Sequence, residues 1–430
     1  MKIKALFYLK TAFKSTTLIV FILLAFSCKN GAEINNNIRK IKEVTAKDIL
    51  GNSNYLAMCY GGYREKNRET QPTIAQLKED LKILASIKIK VIRTYDVHLK
   101  HASNVLKAIT ELKKENPNFE MYVMLGAWID CKNAWTTLEP NHFEESERNT
   151  EEIDEAVRLA NNYSDIVKII AVGNEAMVKW ATSYYVHPNV ILKWVNHLQN
   201  LKNNNKLSKN LWITCSDDFA SWGGADDSYK TKDLEALINA VDYVSVHTYP
   251  FHNSHYNPSF WEVPNQEDSL SDLEKVDAAM KRSLEFAKKQ YQTVQNYVKS
   301  INPSKPIHIG ETGWASNSDG FYGNEGSKAA DEYKQALYYN AMRAWTNTEG
   351  ISCFFFEAFD EPWKDSANPL GSENHFGLFT IDGKAKYALW KNTEDNELKN
   401  FKRDGNSVTK TFKGNYEELL KTIEIPPTQH

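Results

Sequence analysis

Eight short apolar runs, separated by longer stretches in which apolar residues recur every three or four positions, set the rhythm of the chain. The runs fall near 54–59, 90–95, 120–126, 167–174, 211–216, 242–249, 306–311 and 351–359. Bounded by glycine, proline or polar clusters, runs of this length predict buried strands. Between them, Ile74, Leu77, Leu81 and Leu84 share one helical face, as do Val105, Ile109 and Leu112, and the segment from Asp331 to Trp345 has the same period. Strand and helix in alternation predict an α/β fold, and eight such units predict a (β/α)8 TIM barrel as a single domain. A doubly wound sheet is the alternative. It would carry a glycine-rich turn of G-x-G-x-x-G spacing after its first strand, and Cys59-Tyr60-Gly61-Gly62-Tyr63 lacks that spacing.

Two of the runs end in a carboxylate. Ile307-His308-Ile309-Gly310-Glu311 is opened by Pro306 and closed by Thr312-Gly313-Trp314, and Val167 to Val172 leads into Gly173-Asn174-Glu175. In a barrel the strand ends of one face gather at one mouth, which is where function concentrates. Glu175 at the fourth strand and Glu311 at the seventh are therefore expected to meet. Arg93, Tyr95 and Asp96 should join them from the second strand, Trp128 from the third, His247 and Tyr249 from the sixth, and Glu357 with Glu361 from the eighth. The resulting cleft is polar, acidic and aromatic. No cluster in it demands a metal, no cofactor is implied, and His247 reads as a hydrogen-bonded core or rim residue.

Composition narrows the classes. Hydrophobic residues make up 42% and the net charge is −3, which gives a substantial core and no basic footprint for nucleic acid. The excess is aromatic, with 11 Trp and 21 Tyr; most fill the core, and some near strand ends suit the apolar faces of sugar rings. Cys59, Cys131, Cys215 and Cys353 show neither C-x-x-C pairing nor histidines at ligand spacing, and read as buried free thiols. At the N-terminus Lys2, Lys4, Lys10 and Lys14 precede an apolar run from Leu18 to Phe26. That run is short of the roughly 20 residues a spanning helix needs, and reads as a signal peptide over 1–27. Residues 28–45 read as a flexible polar tether, 46–395 as the barrel, and 396–430 as an extension packed on it with a frayed end.

The strand-end motifs resemble those of a glycoside hydrolase clan whose catalytic glutamates end strands four and seven. The finer resemblance is to glycoside hydrolase family 17, the β-1,3-glucanases, and spans roughly residues 54–390. Its carriers are Arg93-Thr94-Tyr95-Asp96, Gly173-Asn174-Glu175, Thr248-Tyr249-Pro250-Phe251, Gly310 to Trp314, and Phe359-Asp360-Glu361-Pro362-Trp363-Lys364 followed by Glu373 to Phe379. The resemblance implies an endo-acting hydrolase of β-1,3-glucan that retains configuration, with Glu311 as nucleophile and Glu175 as acid and base. It implies that Asn174 binds the 2-hydroxyl of the sugar being cleaved, that Tyr249 orients Glu311, and that Glu361, Lys364 and Glu373 orient the carboxylates and bind hydroxyls. Arg93, Tyr95 and Asp96 belong to the same binding set. Trp128, Trp222, Trp314 and Trp363 are candidate stacking platforms.

Glycosyl transfer to another sugar is the alternative outcome of the same intermediate, and a surface glycan-binding protein without turnover is the alternative class. The long connection from Phe251 to Leu270 is expected to form a cleft wall or lid. Leu24-Ala25-Phe26-Ser27-Cys28 resembles a bacterial lipobox. It implies a lipoprotein attached through Cys28 to the outer membrane of a Gram-negative cell, on its periplasmic or outer side, with the membrane touched by the lipid alone; an ordinary signal peptide with an incidental cysteine is the alternative, and a monomer is expected in either case.

Overall fold

In the computed structural model, which describes residues 43–394 and 398–429, eight parallel strands close into a barrel. They are β1 Leu56–Cys59, β2 Ile89–Arg93, β3 Tyr122–Ala127, β4 Val167–Asn174, β5 Trp212–Asp218, β6 Val244–His247, β7 Ile307–Gly313 and β8 Cys353–Phe356. Each strand pairs with its sequence neighbours and β8 returns to β1. All eight match the apolar runs, because a barrel strand buried on both faces is apolar at nearly every position. Cys28 and the expected signal lie outside the described residues, as does most of the tether. Among the described residues no helix is long and apolar enough to cross a membrane.

The outer layer consists of α1 Ile74–Ser86, α2 Lys100–Glu115, α3 Arg148–Asn162, α4 Pro188–Asn203, α5 Lys232–Ala240, α6 Asp272–Ile301 and α7 Glu332–Thr348. Local chemistry fixes where they start. Thr73 with Gln76 and Ser271 with Glu274 form capping boxes, Asp331 caps Lys334 N–H, and Pro188 occupies the first turn of α4. Their apolar stripes cover the strands; Leu77, Leu81 and Leu84 of α1 and Val105, Ile109 and Leu112 of α2 are all buried. The four described cysteines are free and buried.

Inside the barrel the packing leaves little room. A Cβ at Gly310 would lie 2.0 Å from Ser245 Oγ and 2.4 Å from Ser216 Oγ, so this glycine lets β7 lie against the polar interior beneath the mouth. Register then aligns the functional ends: Cys59 stands beside Arg93, Asn174 beside Ser216, Asp218 beside His247, and His247 beside Glu311.

Two expectations are corrected here. The Phe251–Leu270 connection, expected as a cleft wall or lid, contributes no residue to the lining of the cavity that holds Glu175 and Glu311. It folds into a short helix, Pro250–Tyr256, and two 3-10 turns. Its large rings Phe251 and Trp261 are fully buried, because they pack on Trp314 outside the barrel. The C-terminal end is pinned rather than frayed: Val263 N–H donates to Pro427 O at 2.8 Å and Gln429 N–H donates to Val263 O at 2.9 Å. Upstream, a hairpin of Lys402–Arg403 with Asn406–Ser407 inserts Arg403, which is fully buried, against Asp80 of α1 at 2.9 Å.

Candidate active site

Glu311 lies at the floor of the mouth with both carboxylate oxygens occupied. Tyr249 OH donates to Oε1 at 2.6 Å, Tyr95 OH donates to Oε2 at 2.9 Å, and Arg93 Nη1 donates to Oε2 at 2.7 Å. Arg93 is itself buried and fixed, giving Nη1 also to Gly310 O at 2.9 Å and Nη2 to Asn174 Oδ1 at 2.6 Å. Burial opposes ionisation of Glu311, but Arg93 and the two tyrosine hydroxyls, with His247 when it is protonated, outweigh it and hold the carboxyl below its ordinary value. Burial lowers the His247 imidazole to about 4, so at neutral pH it is uncharged and the neighbouring cation is Arg93.

Glu175 faces this group from β4 in a different setting. The chain reaches it through a turn with Gly173 at φ +81° and Glu175 at φ +46°. A Cβ on Gly173 would come within 2.9 Å of Ala176 Cβ, so the turn needs glycine there. A non-glycine residue in the left-handed region is strained by ~1–3 kcal/mol, a feature that concentrates at functional positions. Glu175 Oε1 lies 3.0 Å from His247 Nδ1. The other ring nitrogen, Nε2, lies 2.8 Å from Ser216 Oγ and 3.3 Å from Arg93 Nη1. A guanidinium only donates, so Nε2 accepts and the imidazole proton sits on Nδ1, directed at Glu175. Burial and then the charge of Glu311 push the Glu175 carboxyl up to about 8, against the pull of Arg93.

One oxygen of Glu175, one of Glu311 and a ring nitrogen of His247 lie within 4.8 Å of one another. These are the donor types of a metal site, but the Arg93 guanidinium 2.7 Å from Glu311 already supplies a cation there. The pair faces a cavity of about 800 Å³.

A second acidic group borders the cavity. Lys364 Nζ lies 3.4 Å from Glu357 and 3.7 Å from Glu361. Glu361 accepts from Tyr63 N–H at 3.0 Å and Trp363 Nε1 at 3.0 Å. Gly61 backs it so closely that a Cβ would stand 2.2 Å from its Oε1. Burial raises Glu357 well above the carboxylate range, opposed by Lys364. Asp96 accepts from Arg68 at 3.0 Å, and Arg68 lies over the Trp363 ring at 4.6 Å.

Of the residues expected at the site, Tyr95, Asp96, Trp128, Asn174, Glu175, Glu311, Glu361, Lys364 and Glu373 line the cavity, with Trp363. Arg93 and Tyr249 stand behind Glu311 and act through it. Trp314 is a correction: it is fully buried, donates Nε1 to Ala329 O at 2.8 Å, and packs among Phe251, Trp261 and Tyr338. Trp222 is likewise fully buried, donating to Ser245 O. Neither offers a face to a ligand. His247 proves central to the pair, and the cavity wall also includes Tyr63, Arg68, Asp130 and Trp135. Tyr63 and Arg68 follow β1 directly, and that position was their one signal in the sequence.

A barrel with two facing glutamates at the ends of its fourth and seventh strands, one kept protonated and the other ionised, is the arrangement of a glycoside hydrolase. The family is the one described as the BtgE/BtgC glycoside hydrolase domain, whose model matches residues 57–377, and the chain belongs to it. Among solved structures it is similar to an endo-laminarinase from Formosa Hel1_33_131, with 62% identity, a TM-score of 0.89, and coverage of 90% of this chain and 98% of that one. A glucan 1,3-beta-glucosidase of Arthroderma benhamiae is 28% identical over 274 residues, 62% of this chain and 70% of that protein. The btgC protein of Aspergillus niger is 26% identical over 311 residues, 70% of this chain but only 37% of that longer relative. A β-1,3-glucanosyltransferase of Rhizomucor miehei, at 19% identity and a TM-score of 0.54, shares the fold.

Proposed function

We propose that this glycoside hydrolase cleaves β-1,3-glucan internally, with retention of configuration, through a covalent glycosyl-enzyme intermediate. The observation that carries the reaction type is the approach of Glu175 and Glu311 oxygens to within 4.8 Å. Carboxyl groups about 5 Å apart suit direct attack, whereas inversion needs about 6.5–9.5 Å to admit a water. The substrate class rests on the similarity to the laminarinase, which extends over 90% of the chain.

The groups divide the work by their surroundings. Glu311, ionised and held by Tyr249, Tyr95 and Arg93, attacks the anomeric carbon. Glu175 gives its proton to the departing glycosidic oxygen. Because His247 Nδ1–H is directed at Oε1, the acidic proton sits on Oε2, free for the substrate. Glu175, now ionised, takes a proton from water, whose oxygen displaces Glu311 and restores the starting state. Asn174, pinned by Arg93 beside Glu175, is placed for the 2-hydroxyl of the reacting sugar. Asp96, Glu361, Lys364 and Glu373 supply hydroxyl partners farther along the cavity, with Trp128 and Trp363 as flat walls. Digestion of laminarin beside mixed-linkage glucan, cellulose and xylan tests this reading. Short β-1,3-linked products whose new reducing ends are first formed as the β-anomer are expected, and α-anomers or no products from laminarin would overturn it.

We also infer attachment through Cys28, from the lipobox-like residues alone. Palmitate labelling of the full chain that disappears in Cys28→Ala is expected; labelling that persists, or its absence in the wild type, would remove the anchor.

A further inference from the structure

Beyond β3 the chain makes an excursion in which Cys131–Lys132 pairs with Asn141–Glu145 as a small antiparallel hairpin. At its turn stands Trp135, in the third position of a turn closed by Thr136 N–H donating to Asn133 O at 3.2 Å. Its backbone is in the left-handed region at φ +61°, which a bulky side chain occupies only when the surroundings impose it. Here the turn imposes it, and it leaves the residue 58% exposed. The ring instead stacks on Tyr184, with centroids 5.0 Å apart and planes within 22°. Tyr184 continues to Trp128, at 5.3 Å. In the same excursion the buried Asp130 accepts from Arg148 Nη2 at 2.7 Å. The excursion is tied to the connection after β4 by hydrogen bonds from Cys131 N–H to Tyr184 O at 3.1 Å and from His187 N–H to His142 O at 3.3 Å. An exposed indole, held by a turn and a ring stack, thus lines the cavity on a braced support.

The barrel order gives this column a direction. Glu311 on β7 adjoins β8, whose following loop carries Glu361, Trp363 and Lys364 near the end of β1. Glu175 on β4 adjoins β3, from which Trp128 and Trp135 come. Tyr184 lies in the connection that Glu175 opens after β4. If the anomeric carbon lies over Glu311 and the departing oxygen points to Glu175, the leaving sugar extends toward β3 and β4.

We propose that Trp135, with Tyr184 and Trp128 behind it, is a stacking platform for the glucosyl units on the leaving-group side of the cut. It thereby sets preference for longer chains and captures a sugar acceptor in place of water. The C–H faces of β-linked glucosyl rings are the matching ligand surface. The inference rests on the assignment of Glu175 as the acid.

The test compares Trp135→Ala and Trp135→Asn with wild type on β-1,3-gluco-oligosaccharides of four to seven units and on an aryl β-laminaribioside, whose leaving group needs no sugar platform. The ratio of kcat/KM for the heptamer to that for the aryl substrate is expected to fall about tenfold, a loss equivalent to ~1.4 kcal/mol. Products longer than the substrate should fall with it. Asparagine tolerates the left-handed region, so Trp135→Asn should melt no lower than wild type. An unmoved ratio would overturn the proposal, as would equal losses on both substrates accompanied by a lower Tm, which mark a structural role. A larger loss on the aryl substrate would place Trp135 on the other side of the cut and also overturn it. Failure of the wild type to cut any β-1,3-linked oligosaccharide would instead overturn the underlying functional reading.

Discussion

Glu311 and Glu175 are the same side chain at the ends of two strands of one barrel, yet their surroundings drive them to opposite charge states. Around Glu311 three donors meet two oxygens, and one of them, Arg93, is a buried cation. Glu175 has a neutral imidazole on one oxygen and the negative Glu311 nearby. Desolvation acts on both, so it does not distinguish them. What separates them is the number of hydrogen bonds that reward ionisation, and Arg93 serves only one of the two carboxylates directly. Differing environments of this kind are how two carboxyl groups run acid and base chemistry side by side.

The contrast can be broken most severely at its ionised end. Glu311→Ala should lower kcat on laminarin by at least about 10⁴-fold, since removing one member of a concerted set costs nearly as much as removing the set. Glu175→Gln should cost about 10²–10⁴-fold, the range of general acid catalysis, and less on an aryl glycoside whose leaving group needs no proton. Its pH profile should also lose the alkaline limb. In the wild type that limb should fall near pH 8, because the raised carboxyl of Glu175 must keep its proton to act as the acid and loses it above that value. Tyr249→Phe removes one hydrogen bond to a charged oxygen. A loss of about 10–100-fold is expected, as for ~1.5–3 kcal/mol, with the acid limb moved upward as Glu311 becomes easier to protonate. An acid limb that stays in place would contradict the role given to the tyrosine.

The smallest expected effect is on stability. Burial, foremost, raises Asp218 from 3.8 to about 7. The native state then holds its proton more tightly than the unfolded chain. The resulting stabilisation is complete below about pH 4 and lost as pH rises through about 7. Asp218→Asn should therefore raise Tm at pH 9 by about 2 °C while changing it little at pH 4; equal shifts at both would point to packing instead.

How much of this was legible in the sequence follows from range. The strands were readable because a doubly buried strand announces itself by apolar content alone, and Gly173-Asn174-Glu175 and Gly310-Glu311 carried their glycines for local reasons. Trp314 was misread, since its place just past a strand end is shared by platform and core residues. Only the packing of Phe251 and Trp261 from one connection and Tyr338 from α7 decides between them. His247 was seen but undervalued, for its position between Glu175, Ser216 and Arg93 depends on the register of four strands. Trp135 gave no signal at all: its importance lies in a backbone angle and a stacking partner 49 residues away, 184 minus 135.

The division of roles between the two glutamates is tested most directly by the configuration of the azide formed when each is removed. With an aryl β-laminaribioside, Glu175→Ala should still form the glycosyl-enzyme on Glu311, and added azide should displace it to give the β-glycosyl azide. Glu311→Ala should leave azide to attack the anomeric carbon in place of the missing carboxylate and give the α-glycosyl azide. The opposite pair of anomers would contradict the account and exchange the two roles.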